Sequence, residues 1–370
     1  MERKTSRTED SASTIVEIGS IRIGHDPFPV IAGPCAVESV EQMYEVANSV
    51  AESGGAILRG GAYKHNGTPY GFRGLGREGV KILAQAGRAA GLPVVTQVLE
   101  QAEAENAAEF VDLLEIGSGS MQDFELLRAV GRIGKPVLLR RGPSATIDEW
   151  LWAAEYLLAE GNDQVVMVER GVRTFGNNRG SDMLDLTAVP HLKELTHLPV
   201  MVDPSHAAGS AHKVQPLALA AQGVGADGVI IEVHPHPEGA RTASPQLNLE
   251  AFAALMTSLG INRLRQHIDQ LDRQVVQLLA RRQDLALEIG RTKAERGLPI
   301  YMPDRETELL AVIEEEAAHA GIDAGHVRAL FHLVLAESKR LQEQLRALEN
   351  AQTPAELAEP GQGSSVDPTR

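Results

Sequence analysis

Short apolar runs alternate with amphipathic, helix-like segments along the first 235 residues of the chain. Each run is rich in Leu or in β-branched residues and is too short for a typical helix, which indicates a buried strand. The eight runs occupy residues 29–36, 56–62, 93–98, 113–118, 136–142, 165–171, 199–206 and 228–234. Strands that alternate with helices form parallel βαβ units, and eight such units predict a (β/α)8 barrel.

Two further patterns flank the predicted barrel. The alternation in "TIVEIGSIRIGHDPF", residues 14–28, predicts a β-hairpin around its central Gly-Ser, placed at the floor of the barrel. Beyond residue 260, apolar residues at helical spacing predict three helices, at 261–296, 304–320 and 324–349. A helix as long as the first usually needs a partner chain, so the pattern predicts a homodimer or a larger homo-oligomer.

The chain is therefore predicted to be an α/β protein, a TIM barrel with an N-terminal β-hairpin, followed by an all-α three-helix domain. The predicted parts are a disordered N-terminus at 1–13, the barrel at 14–255, the helical domain at 256–349 and a disordered tail at 350–370. The tail is predicted to be disordered because it is rich in Pro, Gly and Ser.

Composition narrows the classes of function. The formal net charge of −15 argues against nucleic acid as a partner, because phosphate neutralisation needs clustered Lys and Arg. A single cysteine gives no case for an oxidising compartment. The polar N-terminus carries no signal peptide, and no apolar run approaches the about 18 residues of a transmembrane helix. These features predict a cytoplasmic protein with no membrane partner.

Polar side chains collect at the C-terminal ends of the apolar runs, where TIM-barrel enzymes build their sites. They are Cys35, Arg59, Lys64, Gln97, Arg140, Arg141, Glu169, Arg173, Asp203, His206, Glu232 and His234. The lone cysteine lies in "IAGPCAVES" and has three interpretations on residue type alone. It is a buried filler, a nucleophile with a nearby base, or a metal ligand.

The first predicted helix of the second domain carries three basic residues of interest. Arg282 and Lys293 are 11 residues apart, so they share a face about 16 Å apart along the axis and can hold one dicarboxylate between them. Arg265 lies 17 residues before Arg282, about 25 Å away and turned by about 100°. We therefore expect Arg265 to serve a site in a neighbouring subunit.

The helical domain resembles the all-helical chorismate mutase family over about 85 residues, through "LRQHIDQLDRQVVQLLARRQDLALEIGRTK", "DRETELL" and "ESKRLQ". The resemblance implies rearrangement of chorismate to prephenate without a cofactor. The polar positions that match are Arg265, reaching across a dimer, and Arg282, Lys293, Arg305, Glu306, Ser338 and Gln342.

The same resemblance assigns these positions their roles. It implies that Arg282 and Ser338 bind carboxylate, that Lys293 and Gln342 bond the ether oxygen in the transition state, and that Glu306 lies near the substrate hydroxyl. Fixed cations and an amide suit a reaction that needs a compact dianionic conformer and stabilisation of growing charge. Met302, three residues before Arg305, stands where the family has an aspartate.

The barrel resembles the short DAHP synthases related to KDO8P synthases, from residue 15 to about 255. The matching motifs are "IAGPCAVES", "RGGAYK", "ERGVRTF", "VDPSHAAG" and "IEVHPHPE". The resemblance implies condensation of phosphoenolpyruvate with erythrose 4-phosphate at a divalent metal, Mn, Fe, Zn or Co, held by Cys35, His206 and Glu232. It implies substrate binding by Arg59, Lys64, Arg140, Arg141 and Arg173.

The barrel also departs from that family. Ala243 stands where the family has its fourth metal ligand, an aspartate. Asn66 and Gly119 stand where the family has arginines, one for the acceptor phosphate and one for phosphoenolpyruvate. Arg140 stands where the family has a lysine after the fifth run. Neutral residues follow His206 where the family has a basic pair. These changes remove positive charge and weaken the expected metal site.

Three hypotheses follow for the barrel. The first is a DAHP synthase fused to the mutase, a known arrangement in this family that serves feedback by pathway products. The second is an aldolase with another acceptor, and the third is a non-catalytic module that regulates the mutase.

Overall fold

The computed structural model describes residues 3–8, 12–25, 27–64, 70–174, 182–242 and 244–352. Asn66, Ala243 and residues 353–370 of the predicted tail lie outside the described residues. The chain divides into two compact units, Met1–Leu264 and Arg265–Arg370, which are described separately.

The first unit begins with the predicted hairpin. Strands β1 (Val16–Ile18) and β2 (Ile21–Ile23) pair antiparallel, and Gly19 in the turn between them has φ 60°, a conformation that favours glycine. Apolar hairpin residues pack with Ile31 and Met201 inside the barrel. The hairpin therefore closes the N-terminal end of the barrel, as predicted.

Eight parallel strands form a closed barrel in chain order, with the last strand paired to the first. They are β3 (Val30–Gly33), β4 (Ile57–Arg59), β5 (Val94–Val98), β6 (Leu113–Ile116), β7 (Val137–Arg140), β8 (Val165–Glu169), β9 (Val200–Val202) and β10 (Val229–Glu232). Each falls within one of the eight predicted runs, so the barrel prediction is confirmed.

Helices alternate with these strands. They are α1 (Val40–Glu52), α2 (Arg77–Ala90), α3 (Gln101–Ala108), α4 (Phe124–Ile133), α5 (Ile147–Ala159), α6 (Ala188–Leu195), α7 (Pro204–Ala208) and α8 (Val214–Gly223). Side-chain caps begin several of them; Ser39 caps α1, and Thr146 with Glu149 forms a capping box on α5. These caps start α1 and α5 a few residues beyond β3 and β7, whereas longer segments connect β4 to α2 and β8 to α6 at the C-terminal rim of the barrel.

The first residues of the chain differ from the prediction. Ser6 forms a β-bridge with Thr196, and Thr5, which is buried, accepts a hydrogen bond of 2.5 Å from Thr196 Oγ1 through its carbonyl. The prediction of disorder over 1–13 is therefore wrong for residues 3–8. Backbone pairing with a distant segment orders them, and composition does not report such pairing.

Three helices follow the barrel, α9 (Leu249–Glu295), α10 (Pro303–His319) and α11 (Ala324–Gln352). Helix α9 starts 12 residues before the predicted 261, because Phe252, Leu255 and Leu259 form a helical face buried in the core of the first unit. The unit boundary accordingly falls after Leu264, inside this helix, and not after residue 255.

The starts of the other two helices follow from local capping. Pro303 occupies the first turn of α10, where its missing N–H costs nothing, and Asp323 Oδ1 accepts from the His326 N–H at 2.7 Å before α11. In the described part of the chain no helix is long and apolar enough to cross a membrane.

Candidate active sites

Charged side chains fill the barrel interior at the C-terminal ends of the strands. Arg59 contacts Glu232 at 2.5 Å, and Arg140 contacts Glu115 at 2.8 Å and also Asp203. All five side chains are at most 3% exposed. Strand residues alternate between the interior and the helices, so β4, β6, β7 and β10 each place one of their last residues here, and Asp203 follows β9.

The pairing keeps these groups ionised. Burial alone would raise the pKa of Glu115, but Arg140 and Arg59 outweigh it, and that pKa is lowered. Burial would likewise lower the pKa of Arg140, which Glu115 and Asp203 instead raise. The layer is thus a network of compensated charges, and removing one member leaves its partners unpaired in the barrel.

Replacing Arg140 with methionine should destabilise the barrel by about 3–5 kcal/mol, because it leaves two buried carboxylates without their cation. The measurement is chemical denaturation of the full chain, followed through the transition of the barrel. Arg128→Met is the matched control, since Arg128 forms an exposed pair with Glu125 within one helix and should change stability by less than about 1 kcal/mol. Equal effects of the two variants would contradict the prediction.

Three potential metal ligands converge on the same rim. Cys35 follows β3, His206 lies in α7, which directly follows β9, and Glu232 ends β10. One ligand atom from each lies within 4.8 Å of the others. The strands β3, β10 and β9 are consecutive in the closed sheet, which is why residues distant in sequence meet here.

Asp203 fixes the orientation of His206. Its carboxylate caps α7 by accepting the His206 N–H at 3.2 Å, and Oδ2 lies 2.8 Å from His206 Nδ1. The other ring nitrogen, Nε2, is 3.4 Å from Glu232 Oε1. A carboxylate behind a histidine is the arrangement that orients a metal-binding imidazole.

Electrostatics in the cluster favour the charged form of each ligand. Burial would lower the pKa of His206, but Glu232 and Asp203 raise it to about 9. Burial and Glu232 would raise the pKa of Cys35, but Lys64, whose Nζ is 3.1 Å from Sγ, and His206 lower it. Thiolate is the form of cysteine that binds metals, whereas histidine binds them as neutral imidazole, so a metal that binds here displaces the proton of His206.

The donor set fits a divalent transition metal. Sulfur, imidazole nitrogen and carboxylate oxygen together suit Mn, Fe, Zn or Co better than Mg. Two neighbours that the sequence did not single out support the ligands. Ser244 donates a hydrogen bond to Glu232 Oε2, and Gln246 Oε1 accepts one from the Cys35 N–H at 2.8 Å. Both lie in the loop after β10, and no sequence spacing identifies their contacts.

The predicted substrate-binding cations of the barrel fall into two groups. Arg59 and Lys64 touch the ligand cluster, through Glu232 and Cys35. Arg140 does not touch the cluster directly; it is linked to His206 through Asp203 and to Arg59 through Glu115. Arg141 pairs with Glu169 and Asp185, and the exposed Arg173 is connected to Pro143 through its backbone N–H.

The helical unit contains a cavity of about 360 Å³. Six of the seven residues predicted for the mutase line it: Arg282, Lys293, Arg305, Glu306, Ser338 and Gln342. Tyr301, Met302 and Lys339 also line it. All three helices contribute, so this cavity gathers residues that the sequence only suggested should meet.

Backbone and side-chain contacts hold the polar groups of this cavity in place. Arg282 Nη1 donates to Ser338 Oγ at 2.7 Å, and Lys293 Nζ donates to the Ile300 carbonyl at 2.8 Å. Gln342 Nε2 donates to the Ala286 carbonyl at 2.6 Å. A Cβ atom at Gly290 would lie 2.9 Å from Gln342 Cγ, so glycine at 290 permits the close approach of α9 and α11.

Arg265 does not line the cavity of its own chain. It lies on α9 among exposed apolar side chains at helical spacing. These are Ile261, Leu264, Ile268, Leu271, Val275 and Leu278. We call this set the apolar face of α9.

Comparison with known proteins assigns a family to each unit. Residues 6–262 match the DAHP synthetase I family, and residues 264–343 match chorismate mutase type II. A phospho-2-dehydro-3-deoxyheptonate aldolase of Thermotoga maritima is 42% identical over 255 residues, which are 69% of this chain and 75% of the relative.

A second relative and a solved structure agree with this. A 2-dehydro-3-deoxyphosphooctonate aldolase of Nitrobacter hamburgensis is 32% identical over 269 residues, covering 67% of this chain and 93% of the relative. The crystal structure of a DAHP synthase from Thermotoga maritima superposes with a TM-score of 0.68 at 40% identity, covering 72% of this chain and 77% of the other.

Proposed function

Because the chain belongs to the DAHP synthetase I family and also carries a chorismate mutase type II domain, we propose that it catalyses two reactions of the shikimate pathway. The barrel condenses phosphoenolpyruvate with erythrose 4-phosphate, and the helical unit rearranges chorismate to prephenate. The observation that supports the assignment best is the meeting of six matched residues in one cavity. The proposed location is the cytoplasm, which a single cysteine favours.

The mutase reaction breaks a C–O bond and forms a C–C bond within one molecule, so the protein supplies position and charge. Arg282 and Ser338 bind a substrate carboxylate. Lys293 and Gln342 donate to the ether oxygen, on which negative charge grows in the transition state. Each of these two donors already gives one N–H to a backbone carbonyl and has others left for substrate. Their positions are therefore set before substrate binds.

The barrel reaction joins C3 of phosphoenolpyruvate to the aldehyde carbon; water adds at C2, and phosphate leaves. Cys35, His206 and Glu232 would hold the divalent metal, which polarises the aldehyde when bound. Arg59 and Lys64 flank these ligands and place positive charge where the anionic phosphoenolpyruvate binds. Asp203 keeps His206 Nδ1 engaged, so Nε2 faces the ligand cluster.

A single preparation tests both halves. Bound metal is measured first by elemental analysis, and the same protein is then assayed for heptulosonate phosphate and for prephenate. We expect both products. Absence of heptulosonate phosphate with Mn, Fe, Zn and Co would overturn the barrel assignment, and absence of prephenate would overturn the mutase assignment.

A second candidate for the barrel keeps the condensation but changes the acceptor. Gly119 lies beside Ser118, Gln122 and Ser144 in a cavity of about 300 Å³. Among the described residues that line this cavity, none is a cation. The described part of this lining offers no cation to the phosphate of phosphoenolpyruvate, which the family arginine at the position of Gly119 binds. It is Asn66, in place of the arginine for the acceptor phosphate, that favours an unphosphorylated acceptor. Unphosphorylated aldoses offered with phosphoenolpyruvate should then release phosphate faster than erythrose 4-phosphate does, and the reverse order would exclude this candidate.

The apolar face of α9 supports a homodimer. A helix with this many exposed large apolar residues is stabilised by packing against another chain, and a second copy presents a matching face. Arg265 lies among these residues and would then reach the cavity of the partner copy. The mutase site is thereby proposed to be complete only in the dimer.

Two variants separate dimerisation from the contact made by Arg265. Val275→Glu should convert the dimer to monomer, measured by light scattering, and lower mutase activity with it. Arg265→Ala should leave the mass unchanged and lower kcat/KM by about 10²-fold, the cost of losing one charged contact in the transition state. Arg273→Ala, on the same helix, should change neither. A monomeric wild-type protein with full activity would contradict the proposal.

A further inference from the structure

Lys339, a cation in the mutase cavity, has no role in the reaction as derived so far. Lys339 follows Ser338 on α11, and its Nζ lies 2.5 Å from Glu306 Oε2 on α10. The same Nζ lies 4.2 Å from the centre of the Tyr301 ring. The side chains of Lys339 and Glu306 are 34% and 19% exposed, so the pair is partly shielded from water before any substrate binds.

The other charges of the cavity show why this pair matters for binding an anionic substrate. Among the described lining residues Arg282, Lys293, Arg305 and Lys339 are cations, and Glu306 is the carboxylate. A substrate dianion brings two further negative charges close to Glu306. Repulsion between like charges grows as water is excluded from a closed site, so a carboxylate without a partner would oppose binding.

Arg305 does not supply that partner. It is three-quarters exposed and pairs with Glu308 at 3.1 Å, which lies outside the cavity lining. Lys339 is therefore the cation that the structure places on Glu306. The ring of Tyr301 holds the ammonium group by a cation–π contact and so fixes the position of Lys339.

We propose that Lys339 is a positioning residue that neutralises Glu306 and holds its Oε2, which leaves Oε1 to accept a hydrogen bond from the substrate hydroxyl. The inference rests on the proposed mutase function. It assigns Lys339 an effect on substrate binding that acts through Glu306 and not through direct contact with chorismate.

The test is a double-mutant cycle on the full-length dimer. Lys339→Met should raise KM about tenfold and leave kcat within about twofold, because repulsion from an uncompensated Glu306 acts on bound substrate and transition state alike. In a Glu306→Gln background, where no carboxylate needs neutralising, Lys339→Met should change KM by less than about twofold. Lys339→Arg, which keeps the charge, should restore KM.

Arg340→Met is the matched control, because Arg340 neighbours Lys339 in sequence and pairs with Glu337, where both side chains are half exposed. It should keep wild-type constants. An equal rise of KM in both backgrounds would show direct binding of substrate by Lys339 and overturn the proposal, as would an unchanged KM in Lys339→Met.

Calorimetry with a hydroxylated dicarboxylate that mimics the transition state gives the same comparison without turnover. Its Kd should rise about tenfold in Lys339→Met and stay within about twofold in the Glu306→Gln background. Equal shifts in the two backgrounds would again overturn the inference. Loss of prephenate formation in the wild type would instead overturn the mutase assignment, so the two failures are distinguishable.

Discussion

Replacing Lys293 with methionine should lower kcat for prephenate formation by about two to three orders of magnitude, the range seen when one preorganised donor to a developing oxyanion is removed. The loss should fall on kcat more than on KM, because the ether oxygen gains its negative charge only in the transition state. The Ile300 carbonyl already holds Lys293 Nζ in place, and methionine has no N–H that could donate to the ether oxygen. Chorismate consumption by the full chain, followed by absorbance, measures the effect.

Arg291→Met is the control for that experiment. Arg291 lies on the same helix two residues earlier, is exposed and does not line the cavity. It should keep the wild-type rate. A Lys293→Met enzyme with more than about a tenth of the wild-type kcat would refute the role of Lys293 at the ether oxygen.

Replacing Cys35 with serine should weaken divalent metal binding by more than about 100-fold and stop condensation in the barrel. Replacing a residue that only supports a metal ligand weakens metal binding by up to about 100-fold. Cys35 supplies a ligand atom itself, so its replacement should weaken binding by more than that. A serine hydroxyl stays protonated where the thiol of Cys35 has a lowered pKa. Cobalt titration provides a readout without turnover, because the thiolate-to-cobalt absorption should be absent in the variant.

The second activity of the chain is an internal control for that variant. Mutase turnover in the same Cys35→Ser preparation should equal that of the wild type, which shows that the helical unit is folded. Ser118→Ala, on the same rim of the barrel, should keep metal affinity. Unchanged metal affinity in Cys35→Ser would show that Cys35 is not a metal ligand and is a buried filler or a nucleophile.

The barrel and the place of its site were predictable because their signals repeat along the chain. Apolar runs at regular intervals identify the strands, and the C-terminal ends of parallel strands must meet at one rim. Cys35 follows the first barrel strand and Glu232 ends the last, so closure of the sheet brings them together. Helical spacing likewise placed Ser338 and Gln342 on one face of α11.

Other contacts depend on how elements pack, which spacing along one chain does not report. The pairing of Lys339 with Glu306 joins two helices through one side-chain conformation. The hydrogen bond from Ser244 to Glu232 depends on the path of a loop. The start of α9 was predicted at residue 261, whereas the helix begins at Leu249, because Phe252 and Leu259 are buried in the core of the first unit.

The compensated charges at the barrel rim restrict how this protein can change by single substitutions. One guanidinium, that of Arg140, serves Glu115 and Asp203 together. A lysine at 140 would offer a compact ammonium in place of a planar fork and would satisfy the two carboxylates less well. Each member of the network is thus held by its neighbours, and replacement of one without another passes through a less stable protein. Variation at this rim should therefore proceed by paired substitutions, while single substitutions accumulate in the loops above it.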